Sequence, residues 1–249
     1  MRTTAVLNLK GGVAKTTTVI NLAAILAEGG ASVLVIDADS QRNTTDFLRA
    51  CDQTDMNFAW MLRHGATGIL PELTTIEDVC MIAADETLMD LDLTKAEGGD
   101  LHLNCLQEYK GFHGDRHDIC LIDCPPAFNA ATAAALLAAD DVIIPMKLDA
   151  FAICGMSNLL RQIENMRRIN PNLKISGILP TMWYQSPHNT EALKALRKAK
   201  LPIFHPIRRS PTVDRMTYVR EPLTRCSRGS GALRDYRLVA DEYFAKGEC

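Results

Sequence analysis

The sequence predicts a single α/β domain: a mostly parallel, twisted sheet with helices on both faces. Three observations carry that prediction. Short unbroken apolar runs, Val33-Leu34-Val35-Ile36, Ile119-Cys120-Leu121-Ile122 and Val142-Ile143-Ile144, have the character of strands covered on both faces. Segments of helix-like apolar density lie between such runs, giving the strand, helix, strand order of a parallel sheet. The chain, at 249 residues and 47% hydrophobic, can bury one large core, and it shows no repeat, low-complexity tract or linker that would divide it.

Each element has its own signal. Ala5 to Leu9 reads as the first strand, broken by the glycines that follow. Thr16 to Glu28 carries apolar residues at Val19, Ile20, Ala23, Ala24, Ile25, Leu26 and Ala27, and Gly29-Gly30 supplies its stop. Val33 to Ile36 is the second strand, ending in Asp37, and Ile119 to Ile122 ends likewise in Asp123. Thr132 to Ala139 is an alanine-rich helix, and Val142 to Ile144 a strand stopped by Pro145. Ala152 to Ile169 is a long amphipathic helix and Ile175 to Leu179 a further strand. Thr190 to Lys200 and Ala232 to Ala245 complete the helices. Residues 50–117 have weak periodicity and a set of acids (Glu72, Glu77, Asp78, Asp85, Glu86, Asp90, Asp92, Glu97, Asp100). They are read as a solvated surface of helices and loops.

Composition narrows the class. There are 27 basic and 30 acidic residues, a formal charge of −3 that by itself argues neither for nor against nucleic acid. No run approaches the ~18 apolar residues of a membrane span, and the N-terminus lacks the pattern of a signal peptide. The expectation is a cytoplasmic protein. The eight cysteines (51, 80, 105, 120, 124, 154, 226 and 249) form no Cys-x-x-Cys pair, so they are read as reduced, mostly buried apolar residues.

The chemistry concentrates at residues 10–17, Lys-Gly-Gly-Val-Ala-Lys-Thr-Thr. Gripping phosphate requires inward backbone amides, little side-chain bulk and a helix N-terminus behind them. Gly11, Gly12 and Ala14 keep the loop slim around Val13, Lys15 reaches the β- and γ-phosphates, and Thr16, with Thr17 beside it, opens the helix with a hydroxyl placed for magnesium. The strict G-x-x-x-x-G-K-[ST] pattern fails, because Leu9 and Ala14 occupy its glycine positions; an extra lysine, Lys10, stands at the front instead. A fortuitous Gly-Gly turn is the competing reading. Against it stand Asp37-Ala38-Asp39 and Asp123, carboxylates at strand ends, where parallel sheets bind ligands. Magnesium favours such an oxygen shell, part of it reached through water.

These residues resemble the deviant Walker A box of the ParA/MinD ATPases, nearest the small, Soj-like ParA partition ATPases. Val33 to Asn43, VLVIDADSQRN, is similar to that family's second box, with Ser40 in place of the usual proline and Arg42 in place of the usual glycine. Asp118 to Pro126, DICLIDCPP, resembles its Walker B segment. Ala138 to Leu160, Gly177 to Met182 and Pro222 to Glu242 extend the likeness over most of the chain, weakest over 50–117. The resemblance implies one P-loop NTPase domain over 1–249, binding ATP and Mg2+ and hydrolysing ATP slowly. It implies a homodimer closed around ATP, with Lys10 reaching the partner's nucleotide, Lys15 on the phosphates and Thr16 on the metal. Asp39 positions the attacking water, Asp39 and Asp123 serve the magnesium shell, and Asp37 shapes the switch segment. Met182 and Pro206 approach the base.

Within the superfamily the residues favour DNA partition over its alternatives. From Lys200 to Arg237, nine basic residues face three acidic ones, a local charge of +6 in a chain of net −3. Arg208, Arg209, Arg215 and Arg220 are the first candidates for non-specific DNA contact. A ParB-type centromere-binding protein is the implied stimulating partner and a nucleoid-associated location the implied one. A MinD-like positioning ATPase needs a cationic apolar anchor, whereas Ala232 to Cys249 mixes acids and bases and is read as a helix packed on the domain, with no membrane contact. An iron–sulfur reductase needs cysteines in other segments than those of Cys120 and Cys124. A P-loop metabolic kinase or ligase stays open.

Overall fold

The computed structural model describes residues 1–49, 55–91, 101–198 and 201–245. Cys51, Cys249, Lys200, Asp92, Glu97, Asp100 and the side chain of Cys154 lie outside what is described. The seven-stranded sheet has the order β3-β4-β2-β5-β1-β6-β7. Its strands are β1 (Arg2–Val6), β2 (Val33–Asp37), β3 (Glu72–Leu73), β4 (Val79–Ile82), β5 (Ile119–Asp123), β6 (Asp141–Lys147) and β7 (Lys174–Thr181). Every pairing is parallel except β3 with β4 at the edge.

The helices are α1 (Lys15–Glu28), α2 (Asn43–Leu48), α3 (Phe58–His64), α4 (Cys105–His113), α5 (Ala130–Ala138), α6 (Ala150–Arg167), α7 (Pro187–Lys198), α8 (Pro211–Val219), α9 (Leu223–Cys226) and α10 (Gly231–Ala245). Strand periodicity sorts them into two layers. Leu34, Ile36, Cys120, Ile122, Val142 and Ile144 face a core shared with α3, α4, α5 and α6. Their neighbours Val33, Val35, Ile119, Leu121 and Ile143 face a second core shared with α1, α2, α8, α9 and α10. Helices therefore cover both faces, as the unbroken apolar runs predict.

Two readings need correction. The first strand is Arg2–Val6 and not Ala5 to Leu9. Its polar start hides it from an apolar count: Thr3 and Thr4 are buried, the Thr4 hydroxyl donates to Asp141 at 2.8 Å, and Arg2 pairs with Asp141 at 2.7 Å. Residues 55–91 are more than solvated surface. Glu77, Asp78, Glu86 and Asp90 are exposed as expected, but Phe58, Met61, Leu62, Ile69, Met81 and Ile82 between them are core. The four-residue run Val79–Ile82 is β4, too short for periodicity to identify but paired directly to β2.

The closing helix is packed as anticipated, with Leu233, Tyr236, Val239 and Tyr243 buried. Among the described residues, no helix is long and apolar enough to cross a membrane.

Candidate functional site

The loop between β1 and α1 is held open by its neighbours. Gly12 and Ala14 both have φ of 68°, the left-handed region that costs an alanine about 1 kcal/mol or more and a glycine nothing. Such reversals curl successive amides into an anion-binding concavity. The Asn8 amide donates to the Pro145 carbonyl at 2.7 Å, the Lys10 N–H donates to Asn8 Oδ1 at 3.0 Å, and the Thr181 hydroxyl donates to the Val13 carbonyl at 3.1 Å. Beyond Ala14, α1 begins with no capping side chain, which leaves its first amides for a ligand. The Lys15 ammonium donates back to the Lys10 carbonyl at 3.3 Å. Burial lowers its pKa, against the pull of Asp123, Cys124 and Asp39. A desolvated cation beside uncapped amides is a strong attractor for phosphate.

Two buried carboxylates stand behind the loop. β2 and β5 place Asp37 and Asp123 directly opposite each other in register. Asp123 Oδ2 accepts from the hydroxyls of Thr16 at 2.7 Å and Thr44 at 2.6 Å, while Oδ1 is buried with no hydrogen-bond partner among the described residues. Burial raises its pKa to about 6 despite those two hydroxyls. Asp37 is raised further, to about 7, by burial and then by the charge of Asp123.

Asp37 also organises the following turn. It accepts from Thr45 N–H and Oγ1, both at 2.8 Å, and from the Asp39 N–H at 3.1 Å. Asp39 in turn accepts from the Gln41 N–H at 3.0 Å and lines the cleft. Thr44 and Thr45, absent from the sequence reading, are thus integral to the site. The signal was present: two hydroxyl residues directly after the second box, at a helix start.

The oxygen set suits magnesium. By donating its proton to Asp123, Thr16 turns its lone pairs outward, and Asp123 keeps an unpartnered oxygen. Thr16 with Asp123 behind it are the residues that fit the ion, and Asp39 lines the same cleft.

The cleft, about 760 Å³, runs from residues 11–17 and Asp39, past Lys147 and Thr181, to Met182, Tyr184, Ile207, Ser210 and Pro211. Met182 is part of that lining, itself at φ 51°. Pro206 falls outside the lining, where its neighbour Ile207 takes part. Lys10 points elsewhere: its ammonium is 2.7 and 2.9 Å from the two carboxylate oxygens of Asp149 in the same chain.

The four candidate arginines separate. Arg208 lines the cleft, its guanidinium gripping the buried Asp235 at 2.7 and 2.8 Å, and its N–H donates to the same carboxylate at 2.9 Å. Burial pushes the Asp235 carboxyl up, but the bonds from Arg208 outweigh it and hold it below the ordinary range. Arg209, Arg215 and Arg220 are exposed and carry no ion pair among the described residues. Cys120 and Cys124 are buried against the sheet, and burial pushes both thiols up, Cys120 to about 12. Among the described residues no group of three or more His, Cys, Asp or Glu side chains is placed to hold a metal.

Residues 1–175 match the family model for an AAA domain. The chromosome partitioning protein ParA of Caulobacter vibrioides is 35% identical over 188 residues, which cover 74% of this chain and 70% of that protein. The sporulation initiation inhibitor protein Soj of Bacillus subtilis is 33% identical over 184 residues, covering 72% and 71%. Among solved structures, a cobyrinic acid a,c-diamide synthase from Mycobacterium smegmatis with bound ATP analogue and magnesium has a TM-score of 0.82 at 28% identity, covering 100% of this chain and 96% of that one.

Proposed function

Since the chain belongs to the ParA family of P-loop ATPases, we propose that it is a DNA partition ATPase, one that binds ATP with Mg2+, closes into a dimer around it and then binds DNA without sequence preference. The observation that carries the nucleotide part is the Thr16–Asp123–Thr44 cluster beside buried Lys15 at the head of an uncapped helix. The chain's own groups divide the work. Lys15 and the amides of residues 11–17 bind and orient the phosphates, Thr16 and Asp123 hold the magnesium, which when bound neutralises phosphate charge, and Asp39 positions the attacking water. Phosphoryl transfer needs this positioning and charge neutralisation more than covalent help.

Dimerisation requires Lys10 to leave Asp149 and reach the partner's nucleotide. Breaking that ion pair sets a threshold that favours assembly only when ATP is present, and it supports slow turnover in the isolated chain. Arg209, Arg215 and Arg220 are the proposed DNA contacts, while Arg208, committed to Asp235, shapes the base end of the cleft. A ParB-type partner stimulates hydrolysis, and binding to DNA makes the protein cytoplasmic and nucleoid-associated.

Equilibrium ATP binding tests the nucleotide site. Lys15→Ala removes the buried cation and should abolish binding, because phosphate charge is left uncompensated where the dielectric is low. ATP affinity equal to wild type in that variant would remove the assignment. The likeness to a cobyrinic acid a,c-diamide synthase favours a second reading, a P-loop ligase. ATP turnover that depends on a small carboxylic acid and ammonia or glutamine, with no DNA binding, would select it.

A further inference from the structure

We propose that Lys147 is a binding residue for the terminal phosphate of ATP, one that lets the monomer distinguish ATP from ADP before any partner subunit contributes. The inference rests on the nucleotide reading above and adds a residue to it.

The argument is one of placement. The front of the phosphate loop runs alongside the end of β6. Asn8 is tied to Pro145 by its side-chain amide, and Lys10 to Asp149 by its ammonium. Lys147 stands midway between these two anchor points. On its other flank it is in register with Thr181, whose hydroxyl holds the Val13 carbonyl in the middle of the same loop. Lys147 is thus bracketed by the loop's front and its centre, and it lines the cleft together with Gly11 and Gly12. A Cβ at either glycine would meet no atom within 4 Å, so open space adjoins the loop backbone on the cleft it shares with Lys147.

Charge points the same way. Lys147 is exposed and makes no ion pair among the described residues. Lys10, the other lysine at the loop's front, is already neutralised by Asp149. Lys15 and the α1 amides grip the phosphates from the helix side, and Lys147 meets the terminal one from the loop's front. Among the described residues that line the cleft beside Gly11 and Gly12, Lys147 brings an ammonium with no ion-pair partner. The sequence reading could not single it out, because it is the last residue of a strand and belongs to no box.

Titration calorimetry separates this role from a structural one. Wild type, Lys147→Gln and Lys147→Arg are titrated with ADP and with a non-hydrolysable ATP analogue, each with magnesium, at a protein concentration where light scattering reports a monomer. Circular dichroism checks the fold. Loss of one charge-assisted contact predicts about a tenfold weaker analogue affinity for Lys147→Gln, ADP affinity within about twofold of wild type, and recovery in Lys147→Arg. Equal loss for both nucleotides, or no loss for either, would overturn the assignment of Lys147 while leaving the nucleotide site intact. Failure of wild type to bind either nucleotide would overturn the site itself, and Lys147 with it.

Discussion

Replacing Asp37 by asparagine should change how stability depends on pH, and the structure gives both sign and size. The Asp37 carboxyl is fully buried against Asp123 and its pKa is raised from 3.8 to about 7. Between those values the folded chain keeps a proton that the unfolded chain has lost, so folding is favoured at the lower pH and weakened as pH rises through the folded pKa. Integrated from pH 5 to pH 8, that linkage removes roughly 2 to 3 kcal/mol from the nucleotide-free protein. Asp37→Asn deletes the titration. Its amide oxygen still accepts from Thr45, while its NH2 meets the Asp39 N–H; that cost does not vary with pH. Asp123 titrates in both proteins, coupled to Asp37 only in wild type, so the difference between the two curves reports the buried pair. Urea unfolding in EDTA at pH 5, 6, 7 and 8 measures it. The gap should move in favour of Asp37→Asn by roughly 2 to 3 kcal/mol across the series. Parallel curves would show that Asp37 is ionised throughout and that its burial has been misjudged.

Other perturbations read other parts of the site. Asp235→Ala strips Arg208 of its bidentate partner and should cost about 3 kcal/mol in thermal unfolding while weakening nucleotide binding, since Arg208 to Pro211 line the cleft; unchanged nucleotide affinity would detach that segment from the site. Ala14→Gly relieves a left-handed alanine and should raise stability by up to about 1 kcal/mol, with a lower melting temperature as the contrary result. Asp39→Ala should accumulate as a dimer with ATP and magnesium, whereas Lys10→Ala should bind ATP and stay monomeric. Size-exclusion chromatography distinguishes the two, and a dimeric Lys10→Ala would contradict a cross-subunit lysine. Magnesium–ATP affinity should rise between pH 5 and pH 7 as Asp123, raised to about 6, ionises, and a flat profile over that range would remove Asp123 from the ion's surroundings.

Much of this was legible because it is local. A phosphate loop is a contiguous run, and Asp37 and Asp123 sit at the ends of apolar strands that announce themselves. That the two carboxylates stand in register is a property of the sheet, so their mutual effect on titration could not be read from either segment alone. Arg42 shows local information read without its cause. Where the resembled family has glycine, this chain holds an arginine at φ 58°, a backbone position that favours glycine, steadied by an ion pair with Asp46 at 3.3 Å. Lys10 and Arg208 show the limit. Lys10 was read as reaching a partner's nucleotide and Arg208 as a DNA contact; the carboxylates that hold them, Asp149 and Asp235, lie 139 and 27 residues further on. Over 55–91 the acids Glu77 and Asp78 mark a turn and Glu86 and Asp90 lie on an exposed helical turn, while the short apolar runs between them become core only because the neighbouring strands are already in place.

The central claim is that ATP switches this chain into a DNA-binding dimer. A filter-binding titration with ATP, with ADP and without nucleotide, on two unrelated duplexes, tests it directly. The account predicts binding only with ATP, equal on both duplexes, with log K falling against log salt by about 0.9 per phosphate contacted. Replacing Arg209, Arg215 and Arg220 by alanine should flatten that slope while ATP binding survives. No DNA retention in the ATP state at low salt, or retention that ignores the nucleotide, would contradict it.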